Sequence, residues 1–568
     1  MADKEAVRLA EYIIRADFGN IVASVASILL HRGRMRLTEI AHFTKLPRRQ
    51  VAGILITLVQ HNLAWHCETE LGQRTQEFFE MNLKECLMRL RWGRILELTQ
   101  ENMGEDARLV VQVVLQGGKL RLPHILQDQI LGLDLITSPS KREVRKQQLT
   151  EVVYKLIINR YIQPTTPILH RTPYDEMLKK RKAKEKSRSA LLSVKELAQI
   201  KSDVMGEMRD LVKEETSADK ALLKAGVKRK ADAGVGGSSK KHKGDELEMV
   251  DPKAMLRINY ERFDCLFRNK LIELAVADRY NKAAGFIVKG LMNVISAEED
   301  SLLLETSSTG GMQAVFTQMR EHERDSLSLG FGGKSLTSKS KIHELLAGYA
   351  AILAGEDDQN AYRAEGVFLG RDIMAASASG PQYMVLFERI CSRLKRQLLE
   401  SFVEETQGPM GKRVFNAVMH GDKVTEEMVV SKALIKGDDA RIKLSALKTA
   451  SLVTFQAISR TADRSASRCT FLYYVDLSRA YQTILSRMYK SLANIHQRKE
   501  MIYQEYEETF NNSQRSDVLE KTGKMDERDQ VNLVKMEKEL DKLNTAQLRM
   551  ETNVFVLRDL PGGPLSVR

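Results

Sequence analysis

The run Gly330-Phe331-Gly332-Gly333-Lys334-Ser335 is the nearest approach in this sequence to a reactive motif. Glycines ahead of a lysine and a serine are the materials of a phosphate loop, in which backbone amides surround the phosphates and the lysine counters their charge. The glycine spacing is wrong for that loop, and the run falls between helical patterns rather than after a parallel strand. No His-Glu-x-x-His and no dinucleotide fingerprint occurs. His31, His42, His61, His66 and His124 are spread over predicted helix ends and strands, where hydrogen-bonded core or surface imidazoles belong. Asp438-Asp439 places negative charge where a helix start favours it, without the further carboxylates that a cation would require. Cys67, Cys86, Cys265, Cys391 and Cys469 are too scattered for a zinc or redox pair, and their odd number fits poorly with a disulfide framework. The sequence therefore predicts no catalytic residue, no metal site and no cofactor.

Binding by charge is the chemistry that remains. Lys45, Arg48 and Arg49 cluster where an apolar-periodic helix begins, and Lys141, Arg142, Arg145 and Lys146 hold the matching place in a second copy of the pattern. These seven are the predicted DNA contacts, because a helix start inserted beside a groove sets its cations near phosphates. The formal charge of +13, with a pI near 9.2, permits a nucleic-acid or acidic partner without demanding one. Part of that excess lies in two runs, residues 179–188 and 227–244, which read as a solvated linker, a nuclear localisation signal or a loose contact with phosphates. An acidic and polar start, with no apolar run long enough to cross a bilayer, predicts an intracellular, reduced protein that makes no membrane contact. Nuclear entry would come from the basic runs or from a partner.

Three elements must position those cations. Phe18, Ile21, Val22, Val25, Ile28 and Leu29 form the apolar stripe of a first helix over residues 17–30, stopped at Gly33. A short second helix carries Leu37, Ile40, Ala41 and Phe43, capped by Thr38. Pro47 opens a third, in which Val51, Ile54, Leu55, Leu58 and Val59 recur at helical spacing. Leu63-Ala64-Trp65 reads as a strand and Thr75 to Phe79 as its return. Three helices and a hairpin make a winged helix. The pattern returns with Leu109, Val110, Val113 and Val114, then Leu122, Ile125 and Leu126. Leu149, Val152, Val153, Leu156 and Ile157 follow after a loop containing Pro139, with Tyr161-Ile162 as the trailing strand.

Leucine is plentiful and aromatics are 6%, which leans toward helices. The length, 568 residues, exceeds what one core encloses. The predicted class is mainly α with small β wings: four tandem winged-helix domains plus a C-terminal coiled coil. The boundaries are 1–84, 85–178, a disordered basic insertion at 179–250 with a helix possible from Ser193 to Lys213, then 251–380 and 381–476. Coiled-coil helices follow over 477–557, and a tail over 558–568. Phe263 to Ala275, Ala283 to Val294 and Ile342 to Leu353 supply the third domain's helices, with Val367 to Leu369 and Tyr383-Met384-Val385 as wing strands. In the fourth, an entry helix over 382–405 competes with a strand at its start. Val414 and Val418, Met428 and Val429, then Ala440, Leu444 and Leu447 mark the three helices. Leu452 to Phe455 and Cys469 to Val475 form the wing.

Tyr481, Ile484 and Met488, with Leu533, Leu540 and Leu543, sit near heptad positions and are the predicted partner-interface residues. An antiparallel hairpin of these helices is favoured over docking on a partner. Val554 to Leu557 reads as a short exposed strand or anchor. Since Asp438 and Asp439 stand where a groove-reading helix wants cations, the first two domains are expected to touch DNA and the last two to make the assembly.

Asp17-Phe18-Gly19-Asn20-Ile21-Val22, with Leu58-Val59-Gln60-His61-Asn62-Leu63, resembles the N-terminal winged helix of the family of the largest member of the RNA polymerase III-specific heterotrimer. Ser467 to Val475 and Met488 to Asn494 resemble that family's last wing and the start of its coiled coil. The resemblance implies four winged helices and a coiled coil in a non-catalytic nuclear subunit. Its companions would be the two other heterotrimer members and the polymerase clamp. Its task would be promoter recruitment and opening, touching double- and single-stranded DNA, in the synthesis of small untranslated RNAs. The alternatives are a free-standing winged-helix regulator dimerised by its C-terminal helices, or a helical scaffold carrying one winged helix.

Overall fold

The computed structural model describes residues 3–71, 74–132, 138–187, 193–224, 248–295, 301–321, 323–324, 339–355, 367–377, 380–459, 469–514 and 527–562. It divides into two compact units, Met1–Phe263 and Asp264–Arg568.

In the first unit, α1 (Lys4–Phe18) starts at Asp3, whose carboxylate accepts from the Glu5 amide, and ends at Gly19 with φ 84°. The sequence reading began its first helix at Asp17 and missed α1, although Leu9, Ala10, Ile13 and Ile14 form its buried stripe. Gly19 separates α1 from α2 (Asn20–Arg32), which Gly33 terminates. α3 (Leu37–Thr44) begins one residue before the expected Thr38 cap, and Glu39 reaches back to the Arg36 amide at 3.0 Å. α4 (Arg48–Gln60) follows Pro47. β1 (Ala64–Leu71) and β2 (Arg74–Met81) pair antiparallel from Ala64↔Met81 to Leu71↔Arg74, and a bridge joins Met35 to Phe79. Val25, Leu29, Ile40, Val51, Leu55 and Leu58 close the shared core. Each buried side chain of this kind contributes about 1.5–3 kcal/mol.

After α5 (Leu83–Met88) and α6 (Trp92–Met103) the order repeats. It runs through α7 (Glu105–Gly117), β3 (Leu120–Arg121), α8 (Leu122–Leu126), α9 (Pro139–Ile158) and β4 (Ile162–Pro164). Pro139 is the first residue of α9 rather than part of a loop before it, which suits a residue whose missing N–H would be unpaired there anyway. The expected disordered insertion contains regular structure where it is described. α10 (Pro173–Ser187) runs into it, and α11 (Val194–Glu215) opens with a Ser193/Glu196 capping box. β5 (Leu222–Lys224) pairs with β6 (Glu248–Val250); residues 225–247 lie outside the described residues. β7 (Met255–Ile258), which the sequence reading gave to the third domain, lies between β3 and β4 and completes the second domain's sheet.

α12 (Tyr260–Arg279) crosses from the first unit into the second. The order then recurs through α13 (Lys282–Ile295), β8 (Gly310–Gly311), α14 (Met312–Gln318), α15 (Lys339–Ala354), β9 (Leu369–Ser377) and β10 (Gly380–Val385), with β10 central in the sheet. The sequence reading missed α14, and its glycine-rich run at 330–335 lies outside the described residues. Tyr383 to Val385 is strand, which settles the competition at the start of α16 (Phe387–Met419); α16 kinks at Gly408, φ 75°, before Pro409. α17 (Glu426–Ala433) is capped by Thr425, and α18 (Gly437–Thr449) precedes β11 (Thr454–Ser459) and β12 (Cys469–Tyr474). A bridge joins Val424 to Tyr473.

α19 (Leu477–Glu505), α20 (Glu507–Gln514) and α21 (Glu527–Arg558) end the described chain. α19 and α21 run antiparallel: Lys499 Nζ donates to Gln547 at 2.5 Å, and Arg558 to the Tyr489 hydroxyl at 3.3 Å. Val554 to Leu557 is the last turn of α21 and is buried, not an exposed strand. Its continuation packs on α16, where the buried Lys395 donates to the Leu560 carbonyl at 2.8 Å.

Candidate nucleic-acid interface

Lys45 follows α3 in the left-handed conformation, φ 57°, and turns the chain into α4. Arg48 and Arg49 are the first two residues of that helix, and all three side chains are exposed. None of the three makes an ion pair among the described residues, and the first turn of α4 has no acidic residue. Cations at a helix N-terminus oppose the dipole, at about 0.3–1 kcal/mol each. A cluster kept there against local preference is poised for an anion outside the chain.

The second domain treats its cations differently. Arg145 Nη1 and Nη2 bind both oxygens of Asp106 at 2.9 and 2.6 Å, a bidentate pair that ties α9 to α7 and raises the guanidinium pKa. Arg145 is thus engaged within the chain, and a phosphate would compete with Asp106 for it. Arg142 and Lys146 are half-buried, and Lys141 alone of the four is exposed. In the fourth domain the helix start carries Asp438 and Asp439. Arg441 is bound to Glu426 at 2.6 Å and to Asp438 at 3.3 Å, and Lys443 donates to the Gln407 carbonyl at 2.8 Å. The exposed side chains there are mixed: the apolar Leu434, 78% accessible, and Ile442, 65%, stand beside Lys436, Asp438 and Arg441.

The predicted partner residues split. Tyr481, Ile484 and Met488 are buried within the second unit, their apolar faces already covered by the chain's own helices, so the expectation that they await a partner is corrected. Leu533, Leu540 and Leu543 are half-buried. A cavity of about 750 Å³ in this unit is lined by Leu271, Phe368, Phe402, Met488, Met550 and Val556, with Arg393, Glu405 and Arg487 at its polar edge.

A charged cluster at the end of α4 escaped the sequence reading. Lys119 is 6% exposed; its Nζ donates to the Val59 carbonyl at 2.6 Å and meets His170 Nδ1 at 2.5 Å. Burial pushes Lys119 down to about 7, and burial beside Lys119 and Arg257 pushes His170 down to about 4. His61 is likewise lowered to about 4 by burial, with Arg89 and Lys119 adding to it. Gly118 lets the two domains approach here: at φ 76°, a Cβ on it would come within 2.6 Å of the Gln60 carbonyl. The Gly117-Gly118-Lys119 run was the one available signal, since a glycine pair before a lone lysine marks a backbone contact. Among the described residues no group of histidines, cysteines or carboxylates could hold a metal ion.

Sequence models of one subunit match three stretches of the chain. The RNA polymerase III subunit RPC82 helix-turn-helix domain matches residues 8–68, RNA polymerase III subunit RPC82 matches 151–324, and the POLR3C C-terminal winged-helix domain matches 399–475. The chain is similar along its length to DNA-directed RNA polymerase III subunit RPC3 of Homo sapiens, 23% identical over 572 residues with 97% of each chain covered. It is 22% identical over 571 residues to the Rattus norvegicus subunit of that name, again with 97% of each covered. With the Danio rerio subunit it shares 23% identity over 516 residues, 90% of this chain and 87% of the other.

Proposed function

This chain belongs to the RPC82/RPC3 family of RNA polymerase III subunits, and from that premise we propose that it places promoter DNA on the polymerase during initiation. As a member it is a non-catalytic subunit of a nuclear transcription complex, and its companions are other subunits of that polymerase. The finer reading is a division of labour. The first winged helix, and the second through Lys141, contact DNA in promoter recruitment and opening. The third and fourth domains hold the neighbouring heterotrimer members and the clamp.

One observation carries this reading: Lys45, Arg48 and Arg49 stand exposed and unpaired at the mouth of α4, whereas Arg441 and Lys443 of the fourth domain are bound within the chain. Phosphate contact favours the first arrangement and protein contact the second. Supporting the assembly over a free dimeric regulator, Tyr481, Ile484 and Met488 are covered by the chain itself and leave no open seam for a second copy at those positions.

The test compares duplex binding by the full chain carrying K45Q/R48Q/R49Q with binding by R441Q/K443Q. The first set is expected to weaken affinity at least tenfold and to make the plot of log affinity against log salt shallower by about 2.7, at about 0.9 per phosphate contact. The second is expected to change neither. Equal losses from the two sets would overturn the division.

A further inference from the structure

The basic run at residues 179–188 reads in sequence as linker, but the structure makes its described part the body of a fixed helix. α10 contains Lys179, Lys180, Arg181, Lys182, Lys184 and Lys186 against Asp175, Glu176 and Glu185. Its start is fastened to the first winged helix. Asp175 accepts from Arg34 at 2.9 Å and from the Cys67 thiol at 2.7 Å, and the buried Thr172 meets the same thiol. Its other flank lies on α11, where Lys184 pairs with Glu207 at 2.6 Å.

Helical periodicity then sorts the remaining cations. Residues 179, 182 and 186 are spaced i, i+3 and i+7, within about 60° of arc, on the face away from Lys184. Asp175 lies four residues before Lys179 on that same face and points at Arg34. The three lysines therefore continue the side on which the first winged helix sits. All three are exposed; Lys182 and Lys186 have no ion pair among the described residues, and Lys179 has only a loose one to Glu176 at 3.6 Å. The stripe spans about 10 Å of helix, against about one duplex charge per 1.7 Å of axis.

We propose that α10 is a cationic arm that lays Lys179, Lys182 and Lys186 along the phosphate backbone of duplex DNA, extending the contact made by the first winged helix. Two features select DNA over an acidic protein surface. The charges are lysines with no apolar residue among the three, which suits a sequence-independent polyanion. They are also held in a fixed relation to α4's own domain through Arg34, so both would bear on one duplex. The proposal extends the DNA-contact reading of that domain and is tested separately from it.

The experiment uses the full chain and a labelled 40-base-pair duplex, titrated over a range of salt. K179Q/K182Q/K186Q is expected to lower affinity about tenfold on any sequence and to reduce the salt slope by two to three. R34Q removes the anchor while leaving the three lysines; it is expected to lower affinity severalfold with the salt slope kept. K45Q/R48Q/R49Q is measured alongside. If that set has no effect while the α10 set does, only the reading of α4 fails; the converse overturns the arm alone. Loss of poly-glutamate binding by the α10 variant with its DNA slope unchanged would assign the stripe to an acidic protein and overturn the proposal. No change with R34Q would overturn the fixed placement.

Discussion

The winged helix built on α2, α3 and α4 and the one built on α16, α17 and α18 share one fold and present different surfaces. Met35 bridges to Phe79, and Val424 to Tyr473. Lys45 and Leu434 both follow an eight-residue helix in the left-handed conformation, φ 57° and 54°, and Asn62 and Ser451 both turn into the wing at φ 61° and 60°. Val51, Leu55 and Leu58 are matched inside by Ala440, Leu444 and Leu447. At the exposed corner the match ends: Lys45 against Leu434, Arg48 against Gly437, Arg49 against Asp438. Core and backbone are thus specified separately from the surface the domain offers, and the surface decides what it can touch.

The comparison can be broken at its foundation first. Leu58→Ala and Leu447→Ala should each cost about 2–5 kcal/mol, as buried leucines do. Hydrogen exchange across each domain would read the losses; a loss confined to one would deny the shared frame.

Transplanting the corner is the next test. L434K/G437R/D438R, added to the K45Q/R48Q/R49Q chain, should restore about tenfold in duplex affinity and about 2.7 in salt slope. Gly437 has room for the change, since a Cβ there meets nothing within 4 Å. Unchanged binding would mean that groove contact needs more than that corner.

A third test uses acid. His61 and His170, both lowered to about 4, are half-buried and uncharged near the end of α4. The unfolded chain takes up their protons first, so the stability these two rings contribute is complete above about pH 6.5 and is lost as the pH drops toward 4. Lys119, lowered to about 7, acts in the same direction at higher pH: stability grows as pH rises from about 7 toward 10. Exchange protection of α4 should fall roughly tenfold or more for each imidazole between pH 6.5 and 4. Protection that stays flat over that range would place the two rings in solvent.

The smallest effect is strain. Asparagine tolerates the left-handed region, so Lys45→Asn and Leu434→Asn should each raise stability by up to about 1 kcal/mol. Only Lys45→Asn should weaken DNA binding; weakening by both would make the corner's shape, not its charge, the contact.

Much of this was legible beforehand. The spacing of Val51 to Val59 and of Leu149 to Ile157 marked both long helices, and Cys469 to Val475 the last wing. Periodicity shows that a face is apolar but not what covers it, which is why Tyr481, Ile484 and Met488 were misassigned to a partner and Val554 to Leu557 to an exposed strand. Pairings between distant residues leave no local trace. Nothing near Arg145 announced Asp106, and nothing near Ile162 announced Ile258. At the candidate site, the exposed cations of the first domain were readable from charge at a helix start. Lys119 was not: the glycine pair before it marks a close backbone approach, and nothing marks the lysine's burial.

β7 has one more consequence. Met255–Ile258 sits between two strands that leave the ribosome about ninety or more residues earlier, so the second domain's sheet stays open until nearly half the chain is made. A protease cut between Lys224 and Glu248 would sever the polypeptide without separating its pieces, because β7 and the β5–β6 pair would still clasp one fragment to the other.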